Sequence, residues 1–111
     1  MPCLYYTTTK TKEEAENIIT YLLNNRLIAG ANIFPIGSKY WWQEDNKGEY
    51  ICSDNEYAVF MQSTEQNFSN IENAIKERHS YEVPCIIRIN IDAGSNDFLE
   101  WIKYYSSGIK S

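Results

Sequence analysis

The side chains best suited to chemistry in this sequence lie close together in the stretch RHSYEVPCII, residues 78–87. The stretch holds the only histidine of the chain, His79, and one of its three cysteines, Cys85. Imidazole nitrogen and thiolate sulfur are ligands that copper and zinc accept readily in proteins. Because a structural zinc site uses four ligands, these two residues predict at most a weak site for copper or another divalent metal, or a site shared between subunits.

His79 also has a purely structural interpretation. It falls at the end of a predicted helix, where an imidazolium would be stabilised by the negative end of the helix macrodipole. The nearby Tyr81 and Glu82 are open to two interpretations as well. Either they belong to a rigid connection between helix and strand, with Glu82 solvated or paired to a nearby arginine, or they lie with Trp42 in a cleft between subunits.

Catalysis has little support in the sequence. A nucleophilic thiol or hydroxyl needs an activating base, and His79 is the only candidate, so an enzyme that uses Cys85 and His79 is the weakest hypothesis. Neither a G-x-S-x-G elbow nor a phosphate-binding glycine loop occurs. We therefore predict a protein that is not an enzyme and that needs no organic cofactor.

Composition and charge disfavour several classes of partner. The 111 residues are expected to form one domain, residues 1–111, of which 43% are hydrophobic and 23% charged. A formal charge of −5, without any cluster of lysine or arginine, argues against nucleic acid and anionic membranes as partners. No apolar run approaches the roughly 20 residues of a membrane span. Three widely spaced cysteines predict reduced thiols and a cytoplasmic location.

The hydrophobic pattern predicts seven elements in the order β-α-β-β-α-β-α. The strands are expected at 3–8, 27–43, 49–63 and 85–91, and the helices at 11–24, 65–79 and about 98–105. Thr11 and Glu14 form a capping box at the start of the first helix. Within the long hairpin, Pro35 and Gly37 are expected to mark bends or bulges.

This order predicts an α+β protein with the ferredoxin-like β-α-β-β-α-β arrangement, an antiparallel sheet and an extra C-terminal helix. All helices would then cover one face of the sheet. Aromatic residues make up 14% of the chain, more than so small a core can enclose. We therefore expect further copies of the chain to cover the open face, with Tyr40, Trp41 and Trp42 at the interface. Adjacent tryptophans on a strand point to opposite sides, so only one of the two would meet a partner.

Four stretches, taken together and in order, resemble the CutA family of divalent-cation tolerance proteins. They are RLIAGANIFP (26–35), YWWQ (40–43), HSYEVPCII (79–87) and NDFLEWI (96–102). The resemblance implies a ferredoxin-like subunit in a very stable homotrimer, related in architecture to the PII signalling proteins. It also implies a link to copper and divalent-metal binding or tolerance, without an established catalytic reaction.

The sequence departs from the family pattern at the positions linked to metal. Family members often carry a thiol at the end of the first strand, where this chain has Thr7-Thr8-Thr9-Lys10, and a pair of histidines where it has Arg78-His79. The usual cysteine of a later segment is Gly30, and Cys85 replaces the usual glutamate after the Val-Pro step. Of these positions only His79 is kept, while Cys85 adds a thiol.

The leading functional hypothesis is a CutA-like homotrimer that takes part in divalent-metal tolerance and binds copper or another divalent ion weakly through His79 and Cys85. The alternative is a PII-like regulatory module that holds a small ligand or a protein partner in clefts between subunits. The residues expected to line such clefts are Tyr40, Trp41, Trp42, Tyr81 and Glu82.

Overall fold

A computed structural model describes residues 1–108 as an α+β arrangement of one four-stranded antiparallel sheet and three α-helices. The strands are β1 (Pro2–Thr9), β2 (Gly30–Glu44), β3 (Gly48–Thr64) and β4 (Ile87–Asn90), and the helices are α1 (Lys12–Asn24), α2 (Phe68–Arg78) and α3 (Asn96–Tyr105). The strands lie in the order β2-β3-β1-β4. No helix in this part of the chain is long and apolar enough to cross a membrane.

The predicted start of α1 is confirmed. Thr11 is the N-cap, and its hydroxyl accepts a hydrogen bond from the Glu14 amide at 3.1 Å. In a capping box the Glu14 carboxylate would accept a hydrogen bond from the amide of the N-cap residue, Thr11. Here it accepts from the amide of the preceding residue, Lys10, at 3.3 Å. The helix ends at Asn24 with Asn25 as its C-cap, and Arg26 then adopts a left-handed conformation with φ 56°. Helices commonly end with such a residue, because it turns the chain away from the helix axis.

The predicted bulges in the long hairpin are wrong. The pairing of β2 with β3 runs without interruption from Gly30 opposite Gln62 to Glu44 opposite Gly48, and Pro35 takes its place in the ladder opposite Tyr57. This proline is tolerated because β2 is an edge strand, where a residue need not donate to a neighbour on its outer side. The unbroken register keeps alternate residues on the same face along the whole hairpin.

The core lies between the sheet and the helices. Tyr5, Val59 and Met61 point from the central strands into this layer and are almost fully buried. The helices supply the opposite wall with their apolar stripes, in α1 Ala15, Ile18 and Leu22 and in α2 Ile71, Ala74 and Ile75. The last strand is shorter than predicted, and Ile87 and Ile89 of β4 lie largely exposed on the face without helices.

The second helix begins later than the pattern predicts. Residues Glu65–Asn67 form a 3-10 turn, and the α-helix starts only at Phe68. The side chain of Asn67 is buried, and its amide donates to the carbonyl of Leu27 at 3.1 Å and to that of Ser106 at 2.7 Å. This side chain therefore joins the start of α2, the entry to β2 and the end of α3.

We predict that Asn67→Leu lowers the free energy of unfolding by about 1–3 kcal/mol, because it leaves the buried end of α3 without its hydrogen-bond donor. Denaturant unfolding at equal protein concentration measures the effect. Asn70→Leu is the matched control, since Asn70 is exposed on the same helix. Equal losses in both variants would contradict the structural role of the Asn67 amide.

Candidate ligand cleft

A cleft of about 530 Å³ lies between the far half of the hairpin and the segment 80–85 that follows α2. All five residues predicted for an inter-subunit cleft line it within a single chain, together with the predicted metal ligand Cys85; the five are Tyr40, Trp41, Trp42, Tyr81 and Glu82. Cys52, Tyr50 and Thr8 complete much of the wall. Whether these residues also line a cleft between subunits stays a prediction.

The hairpin positions its share of the cleft through cross-strand pairs. Tyr40 lies opposite Cys52 and Trp42 opposite Tyr50, so the four side chains belong to the same face of the hairpin. Period-two alternation along β3 places Asp54 and Glu56 on that face as well.

Glu56 is an important residue of the site that the sequence analysis did not identify. Its side chain is only 6% exposed, and the hydroxyl of Tyr81 donates to its carboxylate at 2.5 Å. The signal was available in the alternation, which puts Glu56 on the same face as Ala58 and Phe60. What the pattern could not supply was Tyr81, which approaches from a distant segment.

Three tyrosines around the cleft donate to carboxylates. The hydroxyl of Tyr40 donates to Asp54, and that of Tyr50 donates to Glu44 at 2.6 Å. The hydrogen bond to Glu44 raises the pKa of Tyr50 to about 12. Burial, reinforced by the hydrogen bond to Glu56, raises the pKa of Tyr81 above its ordinary value. All three phenols therefore keep their protons at neutral pH.

Both ring nitrogens of His79 are engaged in hydrogen bonds. Nδ1 accepts from the Tyr81 amide at 3.1 Å, so Nε2 carries the proton and donates it to the carbonyl of Thr8 at 2.6 Å. His79 is the C-cap residue of α2. The helix carbonyl of Ala74 accepts a hydrogen bond from the guanidinium of Arg78 and not from the imidazole of His79. A metal ion could reach the imidazole only by displacing one of these two bonds, and metal binding at His79 stays a prediction.

Arg78 is not available to Glu82. Its guanidinium lies 3.3 Å from the centre of the Tyr21 ring and pairs with Glu77, while Glu82 is exposed at the cleft. The pairing of Glu82 with Arg78 is therefore wrong, whereas a solvated Glu82 agrees with its exposure. Glu82 also lines the cleft of the single chain, and its place in a cleft between subunits stays a prediction.

Cys85 is a half-buried free thiol on the cleft wall, whereas His79 is not among the residues that line the cleft. Burial raises the pKa of Cys85, and the negative charge of Glu56 raises it further. Metals bind the thiolate, so protons compete for this sulfur near neutral pH. Within residues 1–108, no group of three or more histidine, cysteine, aspartate and glutamate side chains is arranged to hold a metal ion.

The molecule is a small α+β protein. It has a four-stranded antiparallel sheet with helices packed on it, one extended hairpin and a cleft beside that hairpin. The chain belongs to the CutA family: residues 3–104 match the family described as "CutA1 divalent ion tolerance protein". The divalent-cation tolerance protein CutA of Archaeoglobus fulgidus is 38% identical over 97 residues, which are 87% of this chain and 90% of that protein. The corresponding protein of Pyrococcus horikoshii is 36% identical over 99 residues, 89% of this chain and 92% of its own.

Solved structures of the family share this fold. The Archaeoglobus fulgidus CutA, described as a periplasmic divalent cation tolerance protein, superimposes with a TM-score of 0.87 at 36% identity and covers 96% of this chain and 99% of its own. The Ehrlichia chaffeensis CutA1 gives a TM-score of 0.83 at 35% identity, with coverage of 95% and 94%. The overall fold of this chain is therefore shared with solved members of the family.

We predict that Tyr81→Phe lowers the free energy of unfolding by about 1–3 kcal/mol, because the buried Glu56 carboxylate loses its hydroxyl donor. Denaturant unfolding near neutral pH measures the loss. Tyr104→Phe removes a hydroxyl from an exposed ring on α3 and serves as the control. If the double variant Tyr81→Phe, Glu56→Gln is more stable than Tyr81→Phe alone, the loss comes from the charge of the Glu56 carboxylate left without its hydroxyl donor. Equal stability of both tyrosine variants would refute this account.

Proposed function

We propose that this chain acts in divalent-cation tolerance as a homotrimer that binds copper or another divalent ion weakly. Membership of the CutA family over residues 3–104 is the observation that carries the proposal. The relatives named above are described as divalent-cation tolerance proteins. The PII-like regulatory alternative is the weaker candidate, because these descriptions refer to cation tolerance.

The proposed subunit is ferredoxin-like. In support of this arrangement, the chain contains two successive β-α-β units, and their first strands, β1 and β3, are neighbours at the centre of the sheet. Their second strands, β2 and β4, lie at the two edges. This is the split arrangement expected of two interlocked β-α-β units.

The open face of the sheet supports assembly. Phe34, Ile87 and Ile89 lie on this face and remain 45%, 48% and 42% exposed in the single chain. At the far end of the hairpin, Trp41 and Ile51 belong to the opposite side of the strands and are 68% and 61% exposed. Apolar groups grouped in this way are typical of surfaces that other copies of the chain cover. The family resemblance supplies the number of copies, three.

The three cysteines, Cys3, Cys52 and Cys85, are all free thiols. This supports the proposal that the protein works in a reducing compartment such as the cytoplasm. We note that the Archaeoglobus protein is described as periplasmic, so fractionation of the native cells with an antibody against the chain is the direct test.

We predict that light scattering on the purified protein gives three times the subunit mass of 13.0 kDa. The double variant Ile87→Asp, Ile89→Asp should shift the population towards single subunits, because it places charge on the open face. Ser69→Asp, at an exposed position of α2, is the control that should leave the mass unchanged. A wild type that stays a single chain at micromolar concentration would refute the assembly.

We predict that calorimetric titration detects copper or zinc binding in the micromolar range or weaker, and that Cys85→Ser weakens it at least tenfold by removing the soft ligand. Affinity should rise between about pH 7 and pH 9, because Cys85 has a raised pKa and loses its proton only as the pH increases. Cys52→Ser is the control within the same cleft. The absence of heat with Cu(I), Cu(II) and Zn(II) would remove metal as the direct ligand.

A further inference from the structure

We infer that the cleft beside the hairpin binds a small organic cation, of the alkylammonium or alkylguanidinium class, without the help of a metal ion. This inference goes beyond the proposed role in divalent-cation tolerance. It rests on the walls of the cleft, on the charges behind those walls and on the absence of any basic side chain among the residues of 1–108 that line it.

The walls of the cleft are aromatic. Tyr40, Trp42, Tyr50 and Tyr81 contribute rings to a space of about 530 Å³, which lies within the range of small-molecule sites in proteins. The faces of indole and phenol rings carry negative electrostatic potential and attract ammonium and guanidinium groups. The apolar surface of these rings also suits the alkyl part of the ligand, whereas a bare metal ion has no alkyl group to contact it.

The charge around the cleft is negative and largely unpaired. Glu82 lines it, and the carboxylates of Asp54 and Glu56 lie behind the hydroxyls of Tyr40 and Tyr81. None of these three carboxylates takes part in an ion pair within residues 1–108. A fourth carboxylate, that of Glu44, also lines the cleft and forms an ion pair with Lys47.

Glu56 decides the sign of the ligand. Because it is buried, its field is weakly screened by water, and an unpaired buried carboxylate gains most from a cation brought close to it. The Tyr81 hydroxyl donates a hydrogen bond to Glu56. The lone pairs of the Tyr81 oxygen therefore stay free to accept a hydrogen bond from an N–H group of the ligand. An anionic ligand would meet repulsion from Glu56 and Glu82 and would find no basic side chain among the described residues of the cleft wall.

The experiment titrates the assembled full-length protein with butyltrimethylammonium and butylguanidinium in the presence of EDTA. Tryptophan fluorescence and calorimetry report binding, and butanol and butyrate are the neutral and anionic controls of matched length. We expect at least one of the cations to bind at least tenfold more tightly than butanol, and butyrate not to bind. Equal affinity for butanol, or no binding of either cation at millimolar concentration, would overturn the inference.

Variants locate the site. Trp42→Leu should weaken the binding of whichever cation binds about tenfold, through loss of the ring face, and Trp42→Phe should restore part of it. Glu56→Gln should weaken cation binding and leave butanol binding unchanged. Tyr104→Leu, on the exposed surface of α3, should change neither. Light scattering confirms that each variant remains assembled, and full affinity in both Trp42→Leu and Glu56→Gln would place the ligand elsewhere.

The two functional proposals fail in different ways. Cation binding that persists in EDTA while Cu(I), Cu(II) and Zn(II) give no heat would refute direct metal binding and leave the organic-cation site standing. Cation binding that disappears in EDTA and returns with added metal would assign the cleft to the metal and overturn the inference.

Discussion

The unbroken register of β3 is the constraint on which the rest of the molecule depends. This central strand pairs with β1 on one side and with β2 on the other, and its side chains alternate between two different environments. Val59 and Met61 point into the core under the helices, whereas Glu56 and Phe60 belong to the opposite face. A slip of one residue would send the Glu56 carboxylate into the apolar layer and turn the core residues out. Because burial of an unpaired charge there is so costly, the core and the cleft specify the same register.

Polar side chains join the ends of the elements to this sheet. Asn67 links the start of α2 to the entry of β2 and the end of α3. His79 ties the end of α2 to β1 through the Thr8 carbonyl, and Glu14 binds the amide of Ser80 at 2.8 Å. These bonds hold the segment after α2 in place, and that segment carries Tyr81 to the cleft. The only histidine of the chain is thus used to position the cleft wall.

The face without helices presents two kinds of surface, an apolar region and the cleft beside the hairpin. The sheet face is apolar around Phe34, Ile87 and Ile89, which suits contact with other copies of the chain. The cleft combines rings with carboxylates, as in the pair formed by Tyr81 and Glu56. Apolar area favours burial of any matching surface, whereas a buried carboxylate selects its partner by charge. Both regions lie on the face of the sheet without helices, and they differ in the charge that they present.

The sequence by itself determined the elements, because hydrophobic periodicity and the capping residues Thr11 and Glu14 act over one or two turns. It also directed attention to Tyr40, Trp41 and Trp42, because the chain has more aromatic side chains than so small a core can enclose. Only the tertiary structure decided that Glu56 is buried beneath Tyr81 and that His79 is bonded to Thr8, 71 positions away. It also decided that α2 starts after Asn67. Such contacts depend on how distant segments approach each other in space, and the local pattern of a sequence contains no measure of that distance.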